Sequence, residues 1–321
     1  MELFISHRSA LEYWRLHGNT LGSSLRRQYR RKLPASPPDT SSLHSGKTLG
    51  LSLPLNVMVA NPDARRVSRI TRPHVYRGPV PDSSFIPVAD GLVVSSPEFC
   101  FLQMACVLSL IELIELGFEL CGAYSLSETS IVSEHPDSTK KGFYNRPPLT
   151  NIKKLRAFVA RMAGARGYKR ASRALRHITD GSASPMETIL VMLLSLPYKQ
   201  GGYGLPIPEL NARIIPAKSA RRSASKIYYS CDLFWPDVNV AAEYDSDMFH
   251  TGAERISSDS RRRNTLASIG ILVITVTNQQ IRSIVEFGKI AHLLAASMGK
   301  RLRYKKQGFL AAQRKLRGLL L

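Results

Sequence analysis

The stretch that decides the fold is CDLFWPDVNVAAEYD, residues 231–245. Two largely apolar runs flank Pro236 and Asp237, which are residues typical of tight turns. This pattern predicts a β-hairpin. Asp232 then lies near the end of one strand, and Glu243 lies near the end of the next, eleven residues further on.

The carboxylates of this hairpin predict a metal site. Glu243 and Asp245 are two residues apart, so an extended strand points both side chains to the same face. Acids inside apolar strands are costly to bury unless something compensates them, and an all-oxygen set of ligands suits Mg²⁺ or Mn²⁺. We therefore predict that Asp232, Glu243 and Asp245 bind Mg²⁺ or Mn²⁺. The alternatives are that Asp232 and Glu243 are surface acids and that Asp245 belongs to a polar turn.

The residues after the hairpin fit the hydrolysis of phosphodiester bonds. A metal held by carboxylates polarises a phosphate and activates a bound water. His250, five residues past Asp245, would act as general base or acid near neutral pH; the alternative is an ordinary loop residue. Asp259 is also open to a simpler interpretation, as a helix-surface ion pair with Arg262 or Arg263.

Basic residues predict a nucleic-acid partner. The 321-residue chain has 45 Lys+Arg against 24 Asp+Glu, a formal charge of +21, which is the footprint of a protein that neutralises phosphates. Residues 282–321 hold ten basic residues and one acid, and residues 1–33 hold seven and two. The alternative is solvated ends with no specific partner. The residues that we predict to contact DNA phosphates are Arg261, Arg262, Arg263, Lys300, Arg301, Arg303, Lys305 and Lys306.

Composition divides the chain into four segments. Residues 1–50, which end in a Pro- and Ser-rich stretch, are predicted to be a basic, largely disordered segment and linker. Residues 51–180 are predicted to form a smaller α+β module. Residues 184–298 show the order helix, strand, strand, strand, helix, strand, which predicts an α/β domain with a mixed β-sheet flanked by helices. Residues 299–321 are predicted to be a basic C-terminal tail.

Targeting and cysteine patterns predict a soluble, cytoplasmic protein with no membrane partner. No apolar segment typical of a signal peptide lies near Met1. The uncharged run Phe99–Ile111, part of a predicted core helix over 99–120, is too short to cross a bilayer. The four cysteines form no CxxC pair and have no histidine at zinc-binding spacing.

A resemblance to a known superfamily rests on residues 184–285. The run DLFWP…EYDSDMFH…DSRRRNTLASIGILVITVT resembles the PD-(D/E)XK nucleases, in particular the branch related to the very-short-patch-repair endonuclease. SPME at 184–187 matches the start of a helix that precedes the sheet in that branch. The resemblance implies a restriction-endonuclease-like fold. It also implies catalytic roles for Glu187, Asp232, Glu243, Asp245 and His250.

Glu187 also fits a role in helix capping. With Ser184 as the N-cap and Glu187 three residues later, a capping box would let the carboxylate bond back to the N–H of the cap. The two roles of Glu187, in capping and near the metal, remain open.

Two departures from the branch bear on catalysis. Ser246 stands where glycine is usual, and no lysine occurs between Lys226 and Lys289, so the superfamily lysine is absent, as it is in relatives of this branch. We therefore expect a metal-dependent DNA endonuclease. The alternative is a non-catalytic DNA-binding regulator with a degenerate nuclease fold.

A fainter resemblance lies upstream. Leu53–Val59, His74 and residues 90–97 resemble the middle region of AbiEi-type antitoxin and regulator proteins, bacterial proteins that often carry this nuclease-like domain at the C-terminus. Residues 1–50 lack the pattern of the winged helix with which that family begins. A third hypothesis, binding to RNA or ribosomes, is less favoured because aromatic-rich RNA-binding motifs are missing.

Overall fold

The structure is a computed structural model that describes residues 2–18, 33–36, 50–64, 67–89, 91–127, 142–215, 227–245, 253–304 and 306–321. The chain forms two compact units, Met1–Ile178 and Thr179–Leu321. Among the described residues, none of the helices combines the length and apolarity needed to cross a bilayer.

The first unit is built on a five-stranded mixed sheet with the strand order β3-β2-β1-β5-β4. Its strands are β1 (Leu3–Ile5), β2 (Leu55–Val59), β3 (Thr71–Val75), β4 (Phe85–Ala89) and β5 (Leu92–Ser95). Its helices are α1 (His7–His17), α2 (Pro97–Met104), α3 (Leu110–Cys121), α4 (Ile152–Arg161) and α5 (Tyr168–Ala174). A separate two-stranded sheet consists of β6 (Tyr124–Leu126) and β7 (Phe143–Asn145).

Strand β1 and helix α1 belong to this unit, so the prediction that residues 1–50 are largely disordered is wrong for residues 2–18. Strand β1 is central, antiparallel to β2 and parallel to β5, and its residues are at most 3% exposed. Trp14 of α1 is 2% exposed, and its indole N–H donates to the carbonyl of Ser95 at 2.8 Å. Residues 19–32 and 37–49 lie outside the described residues.

The predicted helix over 99–120 is in fact two helices. Ser96 caps α2, and its hydroxyl accepts from the N–H of Phe99 at 3.2 Å. A second cap starts α3: the hydroxyl of Ser109 accepts from the N–H of Glu112, whose carboxylate accepts from the N–H of Ser109. This reciprocal capping begins a new helix within the same apolar run.

The second unit has a four-stranded mixed sheet with the order β11-β10-β9-β8. Strands β8, β9 and β10 are antiparallel neighbours, and α7 crosses from β10 to the parallel strand β11. The elements are α6 (Pro185–Ser195), β8 (Glu209–Ile214), β9 (Tyr229–Trp235), β10 (Val240–Asp245), α7 (Ala253–Ser268), β11 (Leu272–Thr277), α8 (Asn278–Arg282), α9 (Ile284–Ser297) and α10 (Lys306–Leu320). The predicted α/β class with a mixed sheet flanked by helices is confirmed.

Buried side chains hold the helices of the second unit to its sheet. Helix α6 contacts β9 and β10. Leu266 of α7 and Ile271 after it form one buried cluster with Cys231, Phe234 and Ala241 of the hairpin. Side chains of a regular strand alternate between the two faces of the sheet, so residues three apart normally lie on opposite faces. Cys231 and Phe234 are three apart but share one cluster, so the strand does not alternate regularly between them.

The predicted C-terminal tail is part of the second unit. Helix α10 packs on α6 and on the short 3-10 helix Tyr198–Gln200, and Phe309, Leu316 and Leu320 are at most 8% exposed. These residues recur at seven and four positions, close to whole turns of a helix, so they form one apolar stripe between basic residues. The domain boundary predicted at residue 298 therefore omits a helix that the core includes.

Candidate functional site

Three polar residues on adjacent strands of the second sheet lie in one row. The registers of β8 and β9 place Asn211 across from Asp232. The ladder between β9 and β10 ends at the pair Leu233 and Ala242, and Asp232 and Glu243 are the next residue on each strand. The hairpin therefore brings Asp232 and Glu243 together on neighbouring strands, as the turn residues predict.

The carboxylate of Asp232 takes part in the backbone pairing of the hairpin. Its Oδ2 accepts from the N–H of Tyr244 at 2.8 Å, where the ladder between β9 and β10 ends. Burial raises the pKa of Asp232, whereas the bond from Tyr244 and the charge of Arg262 oppose that rise. Asp232 is half-buried, and its hydrogen bond with Tyr244 fixes its orientation.

Glu243 forms an ion pair with an arginine of α7. Arg262 donates from Nη1 to Oε2 at 2.6 Å and from Nη2 to Oε1 at 2.5 Å, and its Nη2 also donates to the carbonyl of Ser230. Burial raises the pKa of Glu243 and the charge of Asp232 raises it further, whereas Arg262 and a hydrogen bond from the Cys231 thiol lower it. Arg262 therefore has a partner on the sheet.

Glu187 joins the start of α6 to the sheet. Ser184 is the N-cap, and its hydroxyl accepts from the N–H of Glu187 at 3.2 Å. The Oε2 of Glu187 accepts from the N–H of Ala183 at 2.8 Å, one residue before the cap, and from Nδ2 of Asn211 at 2.6 Å. Burial raises the pKa of Glu187, and the charge of Asp232 adds to the rise. Glu187 thus has a capping-type role and interacts electrostatically with Asp232.

Asn211 was not predicted from the sequence as a site residue. Its backbone is left-handed, with φ of 49°, a conformation that asparagine adopts more readily than most residues. Its Nδ2 also donates to the carbonyl of Gly181 at 2.9 Å, so it connects β8 to the segment before α6. An asparagine directly before a strand-like run is a signal that could have identified this position.

A cavity of about 530 Å³ opens beside these groups. The residues that line it are Asn211, Ile227, Tyr228, Tyr229, Ser230, Asp232 and Arg262. The cavity therefore presents to a ligand the carboxylate of Asp232, the guanidinium of Arg262 and a wall formed by Tyr228 and Tyr229.

The remaining predicted residues lie around the site or outside the described residues. Asp245 is exposed at the end of β10, whereas His250 and Lys305 are not among the residues that the structure describes. The side chains of Asp259 and Lys306 are likewise not described. Among the basic residues predicted to contact DNA, those that the structure describes as exposed are Arg261, Arg263, Lys300, Arg301 and Arg303.

Carboxylate oxygens are the ligand type that Mg²⁺ prefers, but the described acids of this site do not form a ligand group. The carboxylates of Glu187, Asp232 and Glu243 all have raised pKa values, each chiefly because of burial, and Arg262 sets one positive charge against three acids. Among the described residues, no group of three or more His, Cys, Asp or Glu side chains is arranged to hold a metal ion. A cation that bound Glu243 would therefore have to share or displace Arg262.

The fold of the second unit is thus a mixed α/β sheet with paired acids and an arginine beside a cavity. No protein-family profile matches the chain, and no solved structure matches it significantly. It is similar to "Uncharacterized protein MT2308" and "Uncharacterized protein Rv2248", from two strains of Mycobacterium tuberculosis, each 30% identical over 145 residues, or 44% of this chain. The chain spans about half (47%) of the length of these relatives.

Proposed function

We propose that the second unit is a DNA endonuclease domain that hydrolyses phosphodiester bonds with Mg²⁺ or Mn²⁺. The observation that carries the proposal is the meeting of Asp232 and Arg262 at one cavity, with Glu243 bonded to Arg262. Carboxylates that hold a metal ion and an arginine that binds phosphate are groups that enzymes use in phosphodiester hydrolysis. The resemblance to PD-(D/E)XK nucleases supports the same assignment.

Each residue has a distinct proposed role. Asp232 and Glu243 would hold the ion, which when bound supplies charge neutralisation and an acidic water, with Asp245 as a further ligand. Arg262 lines the cavity, so a guanidinium released from Glu243 would bind a phosphate there. His250 would transfer a proton. Glu187 is proposed to support the site through Asn211 and its charge interaction with Asp232.

The proposed partner is DNA in a bacterial cytoplasm. The exposed side chains of Lys300, Arg301 and Arg303 follow α9, and Arg261 and Arg263 are exposed on α7. Cationic side chains of this kind give affinity that depends on salt and is independent of base sequence.

Cleavage assays on DNA test the proposed hydrolysis. Asp232→Asn and Glu243→Gln should each lower the rate of cleavage by about 100-fold or more, as removal of a major charge-stabilising group does, while binding to DNA in EDTA stays within a few-fold. Asp237→Asn, in the exposed turn of the same hairpin, is the matched control and should cut like the parent. Equal cleavage by all three variants would refute the assignment.

A second candidate is a DNA-binding regulator that does not cut. It is favoured by the Arg262 guanidinium, which occupies both carboxylate oxygens of Glu243, and by the missing superfamily lysine. Calorimetry with Mg²⁺ or Mn²⁺, with and without DNA, separates the candidates. The endonuclease predicts ion binding that the Asp232→Ala/Glu243→Ala double variant loses, whereas the regulator predicts none in either protein.

A further inference from the structure

An exposed tyrosine lies on the wall of the cavity that holds Asp232 and Arg262. Tyr228 directly precedes β9 and is 44% exposed. The guanidinium carbon of Arg213, on the neighbouring strand β8, lies 4.8 Å from the centroid of its ring. An aromatic ring backed by a planar cation therefore lines the same space as the proposed reacting groups.

This pair has the chemistry of a platform for nucleobases. Every base presents a π-face that stacks on an aromatic side chain regardless of base identity, and an arginine at the ring adds a cation–π contribution. Arg262 lines the same cavity and supplies a cationic group for the phosphate of a stacked nucleotide. The volume of about 530 Å³ lies within the range of roughly 300–1,000 Å³ typical of small-ligand sites.

A base must be unpaired to use such a platform. Inside a duplex both faces of a base are covered by its stacked neighbours, so an aromatic side chain reaches a base face only in a single strand or an extruded nucleotide. The platform thus distinguishes single strands from duplexes without reading the sequence.

We propose that Tyr228 and Arg213 stack an unpaired base beside Asp232 and Arg262, and that the substrate class of the second unit is single-stranded DNA. This inference rests on the proposed function for the choice of DNA, and it adds the strandedness of the substrate. Binding at the platform requires no hydrolysis, so the two can be tested apart.

The test is fluorescence anisotropy of labelled oligothymidylate and of a duplex of equal length, with the full chain in EDTA. The parent should bind the single strand more tightly than the duplex. Tyr228→Ala should weaken binding of the single strand by about 5- to 150-fold, which is the equivalent of the ~1–3 kcal/mol that a stacked base contributes, and should leave duplex binding unchanged.

Two variants are controls: one keeps the aromatic ring, and the other removes a different exposed apolar side chain. Tyr228→Phe keeps the ring and should bind the single strand within about 2-fold of the parent, since stacking needs only the π-face. Val285→Ala removes an apolar side chain of the same unit that is 68% exposed and is not among the residues that line the cavity, and it should also bind like the parent.

Three results would overturn the platform: parent-like binding by Tyr228→Ala, equal weakening by Val285→Ala, or tighter binding of the duplex by the parent. Failure of the proposed hydrolysis is distinguishable from these results. A protein that binds single strands through Tyr228 but cuts no DNA with Mg²⁺ or Mn²⁺ retains the platform and refutes the endonuclease. A protein that binds neither DNA refutes both.

Discussion

Arg262 holds both carboxylate oxygens of Glu243, through bonds of 2.6 Å and 2.5 Å. The same guanidinium donates to the carbonyl of Ser230, so one side chain of α7 connects to both β9 and β10. Helix α7 connects β10 to β11, so the ion pair of Arg262 and Glu243 holds this connection against the sheet beside Asp232. The charge of the candidate site and the stability of the fold therefore depend on the same residue.

Arg262→Gln should lower the free energy of unfolding by about 1–3 kcal/mol, because Glu243, whose side chain is 13% exposed, loses its charged hydrogen-bond partner. Chemical denaturation measures the loss. Arg263→Gln, exposed on the same helix, should change stability by less than about 0.5 kcal/mol. The Glu243→Gln/Arg262→Gln double variant should recover part of the loss, because no unpaired charge is left. Equal losses in Arg262→Gln and Arg263→Gln would contradict the structural role of the pair.

Asp232→Asn should alter the pH dependence of stability. Burial raises the pKa of Asp232 above its ordinary 3.8, so the folded state holds this proton more tightly than the unfolded state does. Ionisation of Asp232 therefore costs stability as the pH rises from about 4 through the folded-state pKa. Asparagine cannot ionise and keeps an oxygen for the N–H of Tyr244. The free energy of unfolding of the variant minus that of the parent should be more positive at pH 7 than at pH 4, and a difference independent of pH would contradict the prediction.

Phe309→Ala should destabilise the second unit by about 3–5 kcal/mol, the cost of a large cavity in a core. Phe309 is 4% exposed, and its ring centroid lies 4.1 Å from that of Tyr304 and 5.1 Å from that of Tyr203. Leu319→Ala, on the same helix but 45% exposed, is the control and should cost much less. Similar urea midpoints for the two variants would show that α10 is not held by its buried stripe.

Replacing Lys300, Arg301 and Arg303 together by glutamine should weaken DNA binding and reduce the slope of log affinity against log salt by about 2–3, because each phosphate contact contributes roughly 0.7–0.9. The measurement is anisotropy between 50 and 200 mM salt. Lys289→Gln removes a charge that is paired with Glu286 at 2.8 Å, and it should alter the slope little. An unchanged slope in the triple variant would exclude this segment from the DNA interface.

Much of the second unit was predictable because its signals are local. The Pro236–Asp237 turn and the Ser184 cap each mark a boundary through the backbone geometry of a few residues. The strands and helices of the hairpin region and the α/β class followed from these signals. The capping box of Ser109 was the exception: it lies within a continuous apolar run, and hydrophobicity alone did not reveal the break between α2 and α3.

Residues distant in sequence could not be paired in this way. Strand β1 has three residues and is stabilised by β2 and β5, more than 50 and more than 85 positions away, so no local pattern distinguishes it from a basic, flexible start. The apolar stripe of α10 is buried because the helix packs on α6 and on the 3-10 helix Tyr198–Gln200. For both β1 and α10, the basic composition of the segment predicted exposure to solvent. Packing against residues distant in sequence buries their apolar side chains instead.

The candidate site shows the same division. Local pattern was sufficient to place Asp232 and Glu243 on adjacent strands, since a tight turn sets the register of a hairpin. The crossover of α7 decided that Arg262 pairs with Glu243, and the left-handed backbone of Asn211 in β8 accompanies its hydrogen bond to Glu187. Those contacts join residues 19 and 24 positions apart. Their energy depends on burial and charge in three dimensions, so only the folded chain specifies them.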